Sequence, residues 1–184
     1  MENKHQFSKA TVGLHWLVAI IIMSLMGLGT YMSLLEVGGV YDIHKSIGVA
    51  VFPLLLARVF WRLKRGWPEP LYRYSTLERY MAKVTHWALL LGVIALPLTG
   101  MLYSGASGHG FGIFGLEIFS SNYDPTDAEQ VIPYSEQLSM IGETAHEWVG
   151  YGLMVIVLLH IAGALKHHVI DGDGTLRRML GKRV

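Results

Sequence analysis

The chain has 184 residues, enough for one domain, and its composition is unusually apolar, with 52% hydrophobic and 16% charged residues. Soluble domains carry about 25% charged residues, so this deficit and a mean hydropathy of +0.37 indicate that lipid is the main solvent. The net charge of +1 says little by itself, and we expect no nucleic-acid partner.

The chain contains no cysteine but nine histidines. The missing thiols exclude disulfides, cysteine-held iron–sulfur clusters, and thioether attachment or thiolate ligation of haem. Any bound metal must therefore be held by histidine, methionine or carboxylate side chains.

Four apolar stretches are long enough to cross a bilayer, which takes about 20 residues. The first contains no charged residue, whereas the second is charge-free only from Ser46 to Ala57, and basic side chains at its ends can reach the headgroups. We predict an all-α integral membrane protein, a four-helix bundle that forms a single domain over residues 1–184. Its spans lie at about 10–34, 43–63, 81–103 and 140–169.

Two connections carry local signals. Ser75-Thr76-Leu77-Glu78 predicts a capping box at the start of the third helix. The loop from Ser104 to Leu138 is first rich in glycine and then acidic, and we expect it to fold against the outer membrane surface as a short helix.

The basic residues predict the orientation. Residues 1–9, 58–83 and 166–184 contain 14 of the 15 Lys and Arg, and Lys45 is the remaining one. The connections after the first and third spans, together with the start of the fourth span, hold nine of the 14 acids: Glu36, Asp42, Glu117, Asp124, Asp127, Glu129, Glu136, Glu143 and Glu147. Because short cytoplasmic loops are enriched in Lys and Arg, both termini are predicted to be cytoplasmic.

Four histidines form two pairs at different depths. His146 and His160 are 14 residues apart on the fourth span, so they share a helix face and are separated by about 21 Å along its axis. His44 opens the second span at the depth of His146, and His15 lies at the depth of His160. An isolated histidine in such a span could simply bond a backbone carbonyl, but two matched pairs favour cofactor binding.

Two histidines from different helices suit haem b. Two neutral imidazoles on opposite faces of the macrocycle fill both axial positions, which leaves the iron free to change charge without binding substrate. A zinc site would need three or four ligands close together. We therefore predict two haem b groups.

Three basic side chains are candidates for binding the haem propionates. Arg58 and Arg62 lie on the His44 face at the inner side and could bind propionates of the inner haem, and Lys45 could bind those of the outer haem. The alternative for these side chains is that they snorkel to the lipid headgroups.

Several segments carry a resemblance to a known family. They are Gly13-Leu14-His15-Trp16-Leu17, Ile43-His44-Lys45-Ser46-Ile47-Gly48, Ala145-His146-Glu147-Trp148, Leu159-His160-Ile161-Ala162-Gly163-Ala164-Leu165-Lys166-His167-His168 and Asp173-Gly174-Thr175-Leu176-Arg177-Arg178-Met179. With them the chain resembles the bacterial cytochrome b561 family, which is related to the cytochrome b subunits of nickel hydrogenases and formate dehydrogenases. The resemblance implies a bacterial inner-membrane location and axial histidines on the first, second and fourth helices.

The resemblance leaves two functions open. Members exchange electrons with quinones, either ubiquinone or menaquinone, and some are described as superoxide oxidases, which would make this chain an oxidoreductase with superoxide as reductant at the periplasmic face. The alternative is a membrane anchor and electron conduit for a hydrogenase or another dehydrogenase. A transporter or assembly factor without haem is a third reading, which a colourless pure protein would select.

The quinone is expected at the cytoplasmic end. His167 follows His160 by seven residues, which on a regular helix keeps it on the same face about 10 Å further along. Its imidazole could hydrogen-bond a quinone oxygen and relay a proton. His168 and His86 are further candidates. The alternative for His167 and His168 is that they complement the dipole at the helix C-terminus.

Overall fold

The computed structural model describes residues 5–35, 38–127 and 129–184, so the acidic Glu36 lies outside the described residues. Within these ranges, four helices are long and apolar enough to cross a membrane. They are α1 (Lys9–Leu35), α2 (Tyr41–Arg65), α3 (Thr76–Ala106) and α4 (Glu136–Leu165). Helices α1, α2 and α3 each begin before and end after the span predicted from the sequence. Helix α4 begins before its predicted span but ends at Leu165, where a π-helical segment, Lys166–Ile170, follows. The membrane helix bundle is thus confirmed.

The predicted capping box at the start of α3 is confirmed. The Ser75 side chain accepts a hydrogen bond from the backbone N–H of Glu78, and the Glu78 carboxylate accepts one from the backbone N–H of Ser75. These two bonds satisfy backbone donors that the first helical turn leaves without partners. They fix where α3 leaves the preceding connection.

Apolar side chains from all four helices fill the middle of the bundle. The buried cluster consists of Val18, Ile22, Leu55, Val93 and Leu153. Leu153 is midway between His146 and His160 in sequence, so this layer lies between the depths of the two histidine pairs.

Glycines allow α3 and α4 to pack closely. A Cβ added at Gly142 would lie 2.6 Å from the backbone nitrogen of Tyr103, and one added at Gly92 would lie 2.7 Å from Cδ1 of Leu153. Small residues at membrane helix interfaces permit this approach, because packing drives helix association in lipid.

The expected short helix after α3 is wrong, because the segment forms a β-hairpin instead. Strand β1 (Phe111–Ile113) pairs antiparallel with β2 (Leu116–Phe119). Phe114 and Gly115 join them with φ angles of 46° and 90°, and positive φ at both central residues is typical of the type I′ hairpin turn. The glycines and aromatic residues of this loop therefore act as turn and strand formers. The N–H of Phe114 donates to Oγ of Ser46, which seats the hairpin on the start of α2.

The segment before α1, from His5 onward, meets the C-terminal segment at the opposite end of the bundle. The backbone nitrogen of Val184 donates to the carbonyl of His5 at 3.0 Å, and the Trp16 indole donates to the carbonyl of Met179 at 2.8 Å. The last short helix, α5 (Thr175–Met179), lies in this C-terminal segment. We name the two ends of the molecule the hairpin end and the termini end. Which of them faces the cytoplasm stays a prediction.

Candidate functional site

The structure brings the four histidines together as the two predicted pairs. The ring centres of His44 and His146 are 6.2 Å apart, with an angle of 89° between the ring planes. The ring centres of His15 and His160 are also 6.2 Å apart, with planes at 65°. Each pair joins α4 to another helix, His44 coming from α2 and His15 from α1.

This separation fits an iron between two imidazoles. A metal–imidazole nitrogen bond is about 2 Å long and the ring centre lies about 1 Å further, so two imidazoles on opposite sides of one metal have centres about 6 Å apart. Imidazoles in direct hydrogen-bond contact would be closer, at about 5 Å. The residues of both pairs thus have a spacing that would fit an iron held between them.

The surroundings of the pair at the hairpin end support the same reading. Nδ1 of His146 lies 2.8 Å from the carbonyl oxygen of Leu96, an acceptor that keeps the proton on Nδ1, so Nε2 is the nitrogen that could bind a metal. A Cβ at Gly100 would lie 3.0 Å from Cε1 of His146, so glycine makes room for this ring. On the other side, Nδ1 of His44 is buried and has no hydrogen-bond partner among the described residues.

Two glycines near His44 differ in their surroundings. A Cβ at Gly29 would lie 3.3 Å from Cε1 of His44, so this glycine faces the pair. A Cβ at Gly48, one turn after His44, would meet no atom of the described chain within 4 Å. Open space beside a partly buried glycine leaves room for a flat ring.

The pair at the termini end is surrounded by cationic and aromatic side chains. Nη2 of Arg58 lies 3.2 Å from Nδ1 of His15. The His86 ring packs edge-on against His160, with ring centres 5.3 Å apart. Arg62 is 9% exposed, and its guanidinium lies 5.8 Å above the ring of Trp67, which in turn contacts His86. Both predicted arginines thus lie at this end of the bundle, where anionic propionates would be paired.

Lys45 lies at the hairpin end, in a cleft of about 270 Å³ between the start of α2 and the hairpin. Its ammonium is 3.1 Å from the Asp42 carboxylate. His109 and Ser46 also line the cleft, with the backbone of the glycines in the hairpin. Because Lys45 directly follows His44, the cleft opens next to one histidine pair.

His167 and His168 lie in the π-helical segment after α4, so the projection from a regular helix does not apply to them. Nδ1 of His167 is 2.8 Å from Oδ2 of Asp171 and 3.2 Å from Oδ2 of Asp173. His168 is exposed. A role of either residue at a quinone site stays a prediction, as does that of His86.

Sequence reasoning missed the supporting residues of both pairs. Leu96, Thr99 and Gly100 surround His146 from α3, where Oγ1 of Thr99 lies 3.3 Å from Nδ1 of His146. The sequence feature that could have indicated these residues is the proline-containing segment Leu96-Pro97-Leu98-Thr99-Gly100 in the third span. Trp67 carries no signal at all, because it lies in a connection.

The chain is similar to known proteins along nearly its whole length. The model of the family described as prokaryotic cytochrome b561 matches residues 6–182. The chain is 35% identical over 182 residues to cytochrome b561 homolog 2 of Escherichia coli (strain K12), covering 96% of this chain and 92% of that protein. It is 27% identical over 192 residues to the probable superoxide oxidase CybB of Yersinia pestis, with 97% of each chain covered.

Proposed function

Because the chain belongs to the prokaryotic cytochrome b561 family and is thus a haem b electron-transfer protein of a bacterial membrane, we propose that it holds two haems and passes electrons to quinone. The observation that carries this proposal is the pair of 6.2 Å ring separations at two depths. We place the protein in the inner membrane with both termini in the cytoplasm, on the strength of the basic asymmetry.

One haem would be held by His44 and His146 and the other by His15 and His160. When bound, each haem supplies an iron that accepts and releases one electron. The protein orients the imidazoles through Leu96 and Gly100 at one pair, and it supplies Arg58 and Arg62 as counter-charges at the other. At the hairpin end the counter-charge for propionates would be Lys45.

We propose superoxide as the electron donor at the hairpin end. Two superoxide ions each lose one electron and leave as dioxygen, and one quinone takes up the two electrons and two protons to become quinol. Support comes from the resemblance to a protein named a probable superoxide oxidase and from the cleft beside His44. In this cleft Lys45 and the positive end of the α2 dipole attract an anion, whereas Asp42 and Glu117 oppose it.

We propose the termini end for the quinone, where either ubiquinone or menaquinone would bind. His86 lies directly against the ring of His160, and Trp67 offers a flat apolar surface next to it. His167, on the segment that follows α4, is the candidate for proton transfer to a quinone oxygen, with His168 beside it.

The donor can be tested with purified protein, enzymatically generated superoxide and a soluble quinone analogue. We expect quinol to form, and added superoxide dismutase to suppress it. Lys45→Glu should slow this reaction about tenfold or more, because reversing a charge at the entrance removes electrostatic steering. The control, Lys64→Glu, makes the same charge change on an exposed side chain at the termini end and should leave the rate unchanged.

Quinol formation at the rate seen without protein would contradict the superoxide proposal. A copurifying dehydrogenase that reduces the cytochrome directly would instead assign the chain to the subunit role.

The orientation can be tested with reporters fused to the full chain. A reporter that is active only in the cytoplasm should be active after Val184, and one that is active only in the periplasm should be active when inserted at the exposed hairpin turn at Gly115. The reason is the 14-to-1 distribution of Lys and Arg between the two sides. The opposite pattern would refute both the orientation and the assignment of the two substrates to their sides.

A further inference from the structure

The segment after α4 folds back on itself and forms a polar cluster at the termini end. The N–H of Asp171 donates to the carbonyl of Lys166 at 3.1 Å, and the N–H of Asp173 donates to the carbonyl of His167 at 2.9 Å. These bonds reverse the chain, so that both aspartates return to the histidine that precedes them. The cluster consists of His167, Asp171, Asp173 and Tyr74, with Lys166 and Glu78 at its edge.

Asp173 is buried at the centre of this cluster, with 3% of its surface exposed. Its Oδ2 accepts a hydrogen bond from the Tyr74 hydroxyl at 2.5 Å, and its Oδ1 accepts one from the backbone N–H of Thr175 at 2.8 Å. Tyr74 lies in the connection between α2 and α3, so this bond ties that connection to the C-terminal segment.

The charge states within the cluster follow from its contacts. Burial, together with the hydrogen bond to Asp173, raises the pKa of Tyr74 to about 12. Burial by itself would raise the pKa of Asp173, but the hydrogen bonds from Tyr74 and Thr175 outweigh it and lower that pKa. At neutral pH the tyrosine is therefore a hydrogen-bond donor and the aspartate is an anion.

Both carboxylates face one nitrogen of His167. Its Nδ1 lies 2.8 Å from Asp171 and 3.2 Å from Asp173, and the Tyr74 ring packs against the imidazole with ring centres 4.8 Å apart. A carboxylate can only accept at these distances, so Nδ1 carries the proton. Nε2 has no hydrogen-bond partner among the residues that the structure describes, and the side chain is 22% exposed.

The donor atoms of His167, Asp171 and Asp173 lie within 4.8 Å of one another, but their contacts do not favour a metal site. The Lys166 ammonium is 2.9 Å from Asp171 and 2.5 Å from Glu78, so a cation already neutralises the Asp171 carboxylate. Asp173 is likewise engaged by Tyr74 and Thr175. The arrangement is thus a hydrogen-bonded carboxylate–imidazole assembly.

We infer that Asp171 and Asp173 are positioning residues that hold the proton of His167 on Nδ1 and present Nε2 for proton transfer to the quinone. This inference rests on the quinone site proposed at the termini end. Nε2 takes a proton from water and gives it to a quinone oxygen, which returns His167 to the same tautomer. Asp173, which also accepts hydrogen bonds from the uncharged donors Tyr74 and Thr175, compensates the positive charge that the imidazole carries between these two transfers.

The test compares Asp173→Asn and His167→Gln with the unmodified protein, in samples with the full haem content. The dithionite-reduced protein is oxidised either by a soluble quinone analogue, which takes up protons, or by ferricyanide, which takes up electrons alone. Both variants should slow the quinone reaction about 10- to 100-fold and leave the ferricyanide reaction unchanged. Glu69→Gln, which neutralises an exposed carboxylate at the same end, is the control and should change neither rate.

A second readout reports on the tautomer itself. In protein labelled with ¹⁵N at histidine, the signals that disappear in His167→Gln belong to His167, and their shifts should show the proton on Nδ1. Asp173→Asn should alter these shifts and leave the haem sites unchanged. If Asp173 had a purely structural role, we would expect its loss to change the haem sites as well. Asp171→Asn removes the nearer carboxylate but keeps the hydrogen bond that the Thr175 N–H donates to Asp173. This variant replaces Asp173→Asn in the test if Asp173→Asn does not assemble.

The outcomes separate the two proposals. If His167→Gln slows the quinone reaction while neither aspartate variant alters the rate or the tautomer, the positioning role is wrong and the quinone site stands. If His167→Gln reacts with quinone like the unmodified protein, the quinone contact of His167 is wrong, and the positioning inference is overturned with it.

Discussion

Replacing either His44 or His146 with alanine is expected to lower the haem content from two per chain to one. The two ring centres are 6.2 Å apart, and a haem iron held between these rings would lose one of its two histidine ligands in either variant. His15→Ala and His160→Ala should likewise leave one haem, and it should be the other one. Haem extraction against protein concentration gives the ratio, and a redox titration shows which component has been lost.

The pairing of the histidines is tested by which redox component each variant loses, and not by the number of haems that remain. Both members of a pair must remove the same redox component, and His5→Ala, which belongs to neither pair, must keep both haems. A variant such as His44→Ala that removes the same component as His160→Ala would contradict the pairing. Variants that lose both haems are checked for folding by their helical circular dichroism, so that collapse of the bundle is not mistaken for loss of ligation.

Gly142→Ala is expected to destabilise the bundle by about 1–3 kcal/mol, because overpacking a close contact forces the backbone to move. The new Cβ would lie 2.6 Å from the nitrogen and 2.8 Å from Cα of Tyr103, and neither atom can rotate away. Gly92→Ala should cost less, because its contact at 2.7 Å is the flexible end of Leu153. Thermal loss of the haem absorption band measures the order of the two effects.

Gly152→Ala is the matched control on α4, since a Cβ at this position meets nothing within 4 Å and alanine favours helix. It should be as stable as the unmodified protein. Equal effects at Gly142, Gly92 and Gly152 would mean that close packing of α3 against α4 does not determine stability.

The depths of the histidine pairs could be predicted from sequence because a membrane helix leaves little freedom. A regular helix of fixed rise places His146 and His160 on one face about 21 Å apart, and lipid forces all backbone hydrogen bonds to stay within the helix. Where the helix changes its hydrogen bonding, at Lys166, the projection of His167 no longer applied.

The other features of the structure depend on contacts between segments that are distant in sequence. The composition of the hairpin segment does not predict its structure, because the turn at Phe114 and Gly115 determines the pairing of the two strands. The support of His146 by the Leu96 carbonyl comes from another helix, 50 residues away. The approach of Asp173 to Tyr74 spans 99 residues, and no local pattern marks it.

The position of the charges also decides what the two ends can do. Arg58 lies at the His15 ring, while Lys45 lies at the cleft beside His44 and is paired with Asp42. The termini end therefore carries cations next to the histidine pair itself, and the hairpin end carries its cation at an opening to the outside. The proposal of a small anionic reductant at the hairpin end depends on this accessible cation.

The haem content of the purified, unmodified chain tests the central claim most directly. Haem extracted as its pyridine complex, measured against protein by amino-acid analysis, should give two haem b groups per chain, and redox titration should resolve two components. A ratio of one would contradict the assignment of both histidine pairs as haem sites, and a colourless protein would refute it altogether.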